Sequence, residues 1–435
     1  MTLAGRPALF AWLLAGALIR AAALPLAGSA DVDTWKLWTF TGATDATGYY
    51  GVGGVPPERR VLKWREMRGT TEYVPLSLYE LAAIGRVYMR IDPLYTDSTT
   101  LTVLVKMPGL IAEIALVAFL LTTGRRWLGE SAARMAALAI WLNPAMILNG
   151  AALGYLDIQM AALATIALVA ALHGRSGLAG TLLAAAVLTK PQAIFVAPFV
   201  LIAVARQSAP LRQFLRCSAA GLVTTALVLA PIVLRGAWPN MVQAVRRLNA
   251  HDMLSGEATN AWWIVTWLVR VVDAAPDLGW WGALTIPVRI LSITRFGELG
   301  YPNARLIGTT IVIAAIVWAL ARAWRARADA AIVFAAAWTI FAYVTFRVQV
   351  HENHLILAVP LAAIAAGLDR RLTGVMIGIS LLSALNMYLF QGISGGWQPI
   401  LLRPEGFIDT TVIVSVAGIA LFAGATRRLA RTSVR

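Results

Sequence analysis

Residues 101–122 read LTVLVKMPGLIAEIALVAFLLT, an apolar run that only two charged residues, Lys106 and Glu113, interrupt. About 20 apolar residues suffice for a helix to cross the hydrocarbon layer of a membrane. Further stretches long enough, or nearly long enough, to cross occur on both sides of this run. The twelve candidates are residues 8–28, 101–122, 134–152, 156–173, 177–190, 191–206, 215–234, 305–323, 329–347, 354–368, 373–391 and 410–426. We therefore predict an all-α polytopic membrane protein with about 12 transmembrane helices.

The composition of the 435-residue chain agrees with this prediction, because 59% of the residues are apolar and only 14% are charged. The formal net charge of +15 would suggest a nucleic-acid partner in a soluble protein. Here the basic residues, such as Arg125, Arg126 and Arg134, gather in loops that share one side if Met1 is cytoplasmic. The positive-inside rule accounts for that arrangement, so we expect no nucleic-acid partner. The single Cys217 excludes an intrachain disulfide and a cysteine metal cluster.

The same charge pattern assigns the long polar segments to the external side. A crossing near residues 73–90 would turn Arg125 and Arg126 outward, so we expect an interfacial helix at 75–90 instead. Five tryptophans of a later segment are expected to form an aromatic belt or a re-entrant pair: Trp262, Trp263, Trp267, Trp280 and Trp281. The predicted segments are 1–30 (first transmembrane helix), 31–100 (external catalytic loop with interfacial helices), 101–234 (transmembrane core), 235–304 (second external or re-entrant region) and 305–435 (C-terminal transmembrane helices).

The first apolar run imitates a secretory signal peptide, because Arg6 precedes it and Gly28-Ser29-Ala30 follows it. Arg20 lies inside the run and argues against cleavage. We expect the first helix to be retained.

Ionisable residues stand at span ends that the topology assigns to the external face. They are Asp31, Asp33, Asp157, Lys190, Arg347, His351 and Glu352. Charged groups at membrane depth are unfavourable, so their convergence on one face indicates a functional site at the membrane–water boundary. Asp31 or Asp33 is a candidate general base. Alternatively, both cap the helix that follows, with Asp33 the better placed of the two.

The remaining candidates are cationic. Arg347 and His351 are suited to a phosphate, with Glu352 fixing the His351 tautomer, although a solvated loop explains them equally well. The His-Glu-x-His spacing does not fit a metalloprotease zinc site. Lys190, beside the helix-breaking Pro191, either holds an anionic head group or snorkels to the interface. Arg246 and Arg247 belong either to a phosphate or sugar site or to a solvated loop.

A nucleotide-binding motif is absent from the sequence, so a group transfer would draw its donor from the lipid. Several short motifs occur in a characteristic order: Asp31 seven residues before Trp38, Glu72-Tyr73-Val74-Pro75-Leu76, Leu188-Thr189-Lys190-Pro191-Gln192, Asn260-Ala261-Trp262-Trp263 and Val348-Gln349-Val350-His351-Glu352. The turn at 149–159 has a Gly-x-x-Asp form that ends at Asp157. In this order the chain resembles the GT-C class of lipid-phosphate-sugar-dependent glycosyltransferases, above all the dolichyl-phosphate-glucose glucosyltransferases and their bacterial relatives.

This resemblance implies a GT-C-like bundle with two long external loops and an inverting transfer of a hexose. The donor would be a polyprenyl-phosphate-linked sugar in the membrane lipid, and the acceptor a hydroxyl of a lipid-linked molecule or glycan. In this resemblance, the spacing of seven residues between Asp31 and Trp38 favours Asp31 over Asp33 as the general base. The resemblance implies no metal or cofactor. The donor phosphate would be bound by Lys190, His351 and Arg347, with Glu352 as an orienting residue. The acceptor or sugar would be bound by Asp33, Glu72, Tyr73, Asp157, Arg246 and Arg247.

The expected location is a bacterial inner membrane, with the active site on the external face and a cell-envelope glycan as the product. A polytopic secondary transporter or lipid flippase is the alternative. It predicts related halves and a binding site near the midplane of the membrane. Long external loops with ionisable groups at one boundary favour the transferase.

Overall fold

The computed structural model describes residues 6–51, 61–248, 250–394 and 406–432. The chain forms two compact units. Unit 1 contains Met1–Leu142, Met146–Ala250 and Ile393–Gly395, and unit 2 contains Asn143–Ala145, His251–Gly392 and Gly396–Arg435.

Unit 1 is almost entirely helical. Its helices are α1 (Arg6–Ala23), α2 (Ala30–Thr44), α3 (Pro75–Ile91), α4 (Thr99–Phe119), α5 (Arg125–Leu128), α6 (Glu130–Trp141), α8 (Asp157–Leu172), α9 (Ser176–Thr189), α10 (Ala197–Ala205), α11 (Pro210–Leu234) and α12 (Trp238–Leu248), and α7 (Pro144–Met146) contains residues of both units. Short 3₁₀ segments at Gly48–Tyr50 and Pro191–Val196 and π segments at Leu120–Gly124 and Ile147–Ala152 connect them. Strands β1 (Leu62–Trp64) and β2 (Met67–Gly69) form an antiparallel hairpin.

Unit 2 contains the remaining helices. They are α13 (Ala261–Leu284), α14 (Ile293–Glu298), α15 (Ala304–Arg325), α16 (Asp329–Phe346), α17 (Ala358–Leu368), α18 (Thr373–Gln391) and α19 (Thr410–Thr432), with 3₁₀ segments at His354–Leu357 and Arg370–Leu372. The most deeply buried is α16, which packs against α15, α17 and α19.

All twelve predicted apolar stretches contain helix, and they make the protein an integral multi-pass membrane protein. Within the described ranges, six helices are long and apolar enough to cross a membrane: Thr99–Leu128, Pro210–Leu234, Ala304–Arg325, Asp329–Phe346, Arg370–Gln391 and Thr410–Arg431. A seventh crossing is possible if Glu130–Trp141 and Pro144–Ala152, bent by 45°, form one span. The other five stretches form shorter apolar helices, so a count of twelve crossings stays a prediction.

Buried polar contacts join α1 to α4 and α6 inside unit 1. The Arg20 guanidinium donates to both Glu113 oxygens and to the Trp141 carbonyl, and it lies 3.9 Å from the Trp141 ring centroid. The Lys106 ammonium donates to four carbonyl oxygens, those of Leu24, Leu26, Ala151 and Ala152. The two charged residues that interrupt the run at 101–122 therefore connect α4 to α1 and, through Lys106, to the π segment.

The segment 31–100 has more helix than its sequence predicts. Helix α3 confirms the helix expected at 75–90, and Arg86 and Arg90 are exposed as expected. Helix α2 was expected only in the capping alternative, because its sequence has no helical apolar period and is rich in Thr and Trp. Tertiary contacts stabilise it: a Cβ at Gly85 of α3 would lie 2.0 Å from the Thr39 carbonyl oxygen, so only glycine permits this approach.

The aromatic belt predicted from the five tryptophans is only partly present. Trp262 and Trp263 are buried, and their indole nitrogens donate to the Phe346 carbonyl at 2.6 Å and to Thr411 Oγ1 at 2.7 Å. Both tryptophans follow Asn260, whose side chain caps α13, and that position turns them into the core of unit 2. Trp280 and Trp281 are exposed, beyond a kink at Gly279, as a belt requires.

Candidate active site

Asp31 lies in the first turn of α2, whose start is fixed by backbone contacts. Ser29 is the N-cap residue, and its amide and its hydroxyl both donate to the Leu153 carbonyl oxygen. Gly28 has a φ of +90°, a left-handed conformation that favours glycine. Neither aspartate is the N-cap residue, as the capping alternative expected, but both carboxylates stand in the first turn of α2, where that alternative expected negative charge to be favourable.

A buried ion pair joins two other helix ends of unit 1. Asp157 begins α8 and Lys190 follows α9, and their Oδ1 and Nζ atoms are 2.6 Å apart. Their side chains are 1% and 8% exposed. Pro191 begins the next helical segment and stops α9 at this point, so the break predicted at Lys190 is observed. The ammonium that sequence analysis assigned to a lipid phosphate thus already has a carboxylate partner.

Tyr73 lies between this pair and the aromatic side chains of α2. Its ring centroid is 5.7 Å from Lys190 Nζ, 5.1 Å from the Trp35 ring and 5.3 Å from the Trp38 ring. The Trp35 indole donates to the Gly154 carbonyl at 3.0 Å, which holds α2 against the turn before Asp157. These contacts bring together Asp31, Tyr73, Asp157 and Lys190, which we call the carboxylate cluster.

Asp31 differs from the buried pair because its side chain is partly accessible. It makes no hydrogen bond or ion pair with the described part of the chain. Burial raises the pKa of Asp31 to about 6, the Lys190 charge lowers it, and the Asp157 charge raises it. A carboxylate with this pKa is ionised at neutral pH and is a stronger base than an ordinary aspartate.

Other predicted residues of unit 1 lie outside the carboxylate cluster or at its edge. Asp33 is exposed and 3.7 Å from Lys36, which forms a closer pair with Asp97 at 2.8 Å. Arg246 is exposed, whereas Arg247 is partly buried and donates to the Thr71 carbonyl at 3.5 Å. The Thr71 contact places Arg247 near the loop that carries Glu72 and Tyr73.

Two of the three predicted phosphate-binding residues, Arg347 and His351, lie in unit 2, at the end of α16 and in the loop after it. The Gly256 amide donates to the Val350 carbonyl, and His351 lies beside Gly256, where a Cβ would come within 2.8 Å of the imidazole. His351 Nδ1 is 4.0 Å from Glu352 Oε2, longer than a hydrogen bond. The orienting role predicted for Glu352 stays a prediction.

Two more histidines adjoin His351, and sequence analysis did not assign them to its site. The ring centroids of His251 and His354 are 5.9 and 5.5 Å from that of His351. Arg347, at the end of α16, donates to Thr309 on α15. Asn386 fixes the loop by donating to the Glu352 carbonyl and accepting from the Thr259 amide, each at 2.8 Å. We call Arg347, His251, His351 and His354 the Arg–His cluster of unit 2.

Sequence analysis also missed Glu80 and Gln159. The Gln159 side-chain amide donates to Glu80 Oε1, and Gln159 is two residues from Asp157. The only signal in the sequence was a lone carboxylate on an otherwise uncharged stretch of α3, which does not identify a partner 79 residues away. Among the described residues, no group of three or more His, Cys, Asp or Glu could hold a metal ion.

Comparison with known proteins gives one family match. Residues 58–206, about one third of the chain, match the MptA_B family, described as alpha-(1->6)-mannopyranosyltransferase, N-terminal domain. The matched stretch contains Tyr73, Asp157 and Lys190 of the carboxylate cluster. A search of curated proteins finds no significant match.

Matches among solved structures include an oligosaccharyltransferase and ArnT, both of low sequence identity. The Archaeoglobus fulgidus oligosaccharyltransferase in the apo form is 14% identical with a TM-score of 0.43, over 97% of this chain and 56% of that chain. ArnT from Cupriavidus metallidurans in the apo state is 12% identical with a TM-score of 0.44, over 97% of this chain and 76% of that chain. The chain thus spans little more than half the length of the oligosaccharyltransferase. The family match points to a mannosyltransferase domain, whereas the motifs resembled the dolichyl-phosphate-glucose glucosyltransferases.

Proposed function

We propose that the protein is an integral membrane glycosyltransferase that transfers a hexose from a polyprenyl-phosphate carrier to an acceptor hydroxyl. The observation that carries this proposal is the Asp31 carboxylate, which is partly accessible and has a raised pKa beside the buried Asp157–Lys190 pair. The match of residues 58–206 to a mannosyltransferase domain supports the same reaction class.

Asp31 acts as the general base in this proposal. Its carboxylate removes the proton of the acceptor hydroxyl as that oxygen bonds to the anomeric carbon. The bond between the anomeric carbon and the phosphate oxygen breaks, and the phosphate leaves with the electron pair. Attack from the face opposite the phosphate inverts the anomeric configuration. A positioned base contributes a factor of about 10²–10⁴ to the rate.

Lys190 and Asp157 tune this base. The Lys190 ammonium favours the ionised form of Asp31, whereas burial and the Asp157 carboxylate oppose ionisation. The balance leaves Asp31 ionised at neutral pH with a higher proton affinity than a solvated aspartate has. Because Lys190 is already paired, we assign it this tuning role in preference to direct binding of the donor phosphate.

The departing phosphate then requires other cations. With Asp31 ionised, the carboxylate cluster holds two carboxylates and one ammonium, so it does not attract a phosphate. The sequence-based assignment of the phosphate to Arg347 and His351 of unit 2, whose side chains are suited to an anionic leaving group, stays a prediction. Tyr73, Glu72 and Arg247 are candidates for the sugar or the acceptor.

The family match also guides the choice of sugar. Its description names an alpha-(1->6)-mannopyranosyltransferase, so mannose is the hexose to test first. If an alpha product forms with inversion, the mannose must be beta-linked to the phosphate of the donor.

The experiment uses the purified protein in vesicles with labelled polyprenyl-phosphate-β-mannose, and polyprenyl-phosphate-β-glucose in parallel, on either side of the bilayer. Lipid extracts of bacterial envelopes supply the acceptor. We expect release of polyprenyl phosphate together with an α-linked mannosylated product, identified by mass and by α-mannosidase digestion. Empty vesicles are the control. Movement of intact donor across the bilayer without cleavage of the sugar–phosphate bond would overturn the proposal and favour a flippase.

A further inference from the structure

Glu80 of α3 lies in a second polar contact beside the carboxylate cluster. One turn earlier on α3, the Ser77 hydroxyl donates to the Thr189 carbonyl at 2.7 Å, directly before Lys190. Glu80 Oε1 accepts from the Gln159 amide in the first turn of α8, two residues after Asp157. Helix α3 thus contacts both chain segments that carry the Asp157–Lys190 pair.

Two oxygens of this contact are left over. Glu80 Oε2 and Gln159 Oε1 are both buried, and neither has a hydrogen-bond partner in the described part of the chain. An ionised carboxylate and an amide oxygen are both acceptors only, so neither can satisfy the other. Buried acceptors without donors are unfavourable.

One proton on Glu80 supplies the missing donor. A carboxylic acid and a primary amide each present one donor and one acceptor, and together they form a reciprocal pair of hydrogen bonds. The bond from Gln159 to Glu80 Oε1 is half of that pair. Burial raises the pKa of Glu80 to about 7, and the Gln159 hydrogen bond lowers it, which is consistent with a proton held near neutral pH.

Charged groups on neighbouring elements do not supply the partner. Those on the elements packed against α3 are Asp31, Asp33 and Lys36 on α2, Lys106 and Glu113 on α4, Asp157 on α8, Lys190 after α9, and Arg212 and Arg216 on α11. None of them forms a hydrogen bond or an ion pair with Glu80 in the described ranges.

We propose that protonated Glu80 is a positioning residue that locks Gln159 and the first turn of α8, and so keeps Asp157 on Lys190. The inference rests on the proposed function in one respect, namely that the Asp157–Lys190 pair tunes a catalytic Asp31. Loss of the Glu80 proton leaves two acceptors without a donor and weakens the contact between Glu80 and Gln159. The rate of transfer therefore falls as the pH rises above the pKa of Glu80.

The first test is the pH profile of kcat/KM for transfer from polyprenyl-phosphate-β-mannose. If the ionised form is inactive, the wild-type rate falls about fivefold between about pH 7 and 8. Glu80→Gln keeps both hydrogen bonds at every pH, so its alkaline fall disappears while its acid side is unchanged. Asp92→Asn, at the exposed end of the same helix, is the control and retains the fall. An unchanged alkaline fall in Glu80→Gln would overturn the proposal.

The second test does not depend on activity. Infrared spectra should show a protonated carboxylic acid that is lost as the pH rises through about 7 and is absent from Glu80→Gln. The folded pKa lies above the unfolded value, so the folded state holds more protons between these values and wild-type stability falls with rising pH there. Glu80→Gln removes that part of the fall in Tm. If the infrared spectra and the Tm values both match these expectations but no transferase activity is found, the role of protonated Glu80 is supported and the proposed function fails. If the wild type lacks the acid band, the lock itself is overturned.

Discussion

The described part of unit 1 contains two buried pairs between a basic side chain and a carboxylate, and they differ in the groups that stand beside them. The Arg20 guanidinium meets both oxygens of Glu113, two backbone carbonyls and the face of Trp141. The Lys190 ammonium has one close carboxylate oxygen, from Asp157, and the ring of Tyr73. Asp31 stands beside this second pair as a further carboxylate.

The difference separates a structural contact from a functional one. A buried pair whose donors and acceptors are all used fixes two helices and has no capacity left for a substrate. When a third, partly accessible carboxylate lies beside a buried pair, the charges of the pair shift the pKa of that carboxylate. We therefore expect the Arg20 pair to contribute to stability alone and the Lys190 pair to contribute to both stability and catalysis.

The largest effect on stability is expected from breaking the first pair. Arg20→Met leaves Glu113 as an uncompensated buried charge, and we expect a loss of about 3–5 kcal/mol in the free energy of unfolding. Thermal unfolding of the purified protein in detergent measures it. Restoring neutrality with Arg20→Met and Glu113→Leu together should recover most of the loss and leave kcat/KM near the wild-type value. Persistent inactivity of the folded double variant would contradict a purely structural role.

The matched change in the second pair sharpens the comparison. Lys190→Met and Asp157→Leu together also remove both charges, so unfolding should return toward wild type. Because the electrostatic tuning of Asp31 is lost, kcat/KM should fall by roughly 10–100-fold even though the protein folds. Steady-state rates at saturating and limiting donor measure this fall. Full activity of this double variant would show that the Asp157–Lys190 pair contributes to stability alone.

The pH dependence gives a smaller and more specific effect. Asp31 must be ionised to act as a base, so kcat/KM should rise through about pH 6, before the fall attributed to loss of the Glu80 proton begins near pH 7. Asp157→Asn removes a charge that raises the pKa of Asp31, so the rise should move to lower pH. A shift in the opposite direction would show that Asp157 is not the neighbour that matters.

The smallest effect is expected at the protein surface. Asp97 is 43% exposed and pairs with Lys36 at 2.8 Å. Asp97→Asn should change the free energy of unfolding by about 1 kcal/mol, because Asp97 is partly solvated and Asp33, 3.7 Å from the buried Lys36 ammonium, still faces that charge. Chemical unfolding at low and high salt checks this value. A loss as large as that of Arg20→Met would mean that exposure is a poor guide to these pairs.

The sequence predicted the helical membrane class and the apolar segments, because hydrophobic length is read directly from composition. It also predicted helix α3 and the break at Pro191, which depend on local residues. Helix α2 was expected only in the capping alternative, since the packing of Trp35, Trp38 and Gly85 stabilises it. These are contacts between distant segments that have no local pattern.

The candidate site was predicted less completely. Single residues such as Asp31 and Lys190 were identified because ionisable groups are unusual at the ends of apolar runs. The pairing of Lys190 with Asp157, and of Glu80 with Gln159, depends on residues 33 and 79 positions apart. Periodicity and motif spacing do not show which of several carboxylates a buried cation or amide meets.

The central claim is that the Asp31 carboxylate is the base of a glycosyl transfer. The direct measurement compares Asp31→Asn with Asp45→Asn, an exposed aspartate at the opposite end of α2, in single-turnover transfer from labelled polyprenyl-phosphate-β-mannose. We predict that Asp31→Asn slows transfer by about 10²–10⁴-fold with an unchanged Tm, and that Asp45→Asn stays within about twofold of wild type. Transfer by Asp31→Asn at the rate of the Asp45→Asn protein would contradict the account.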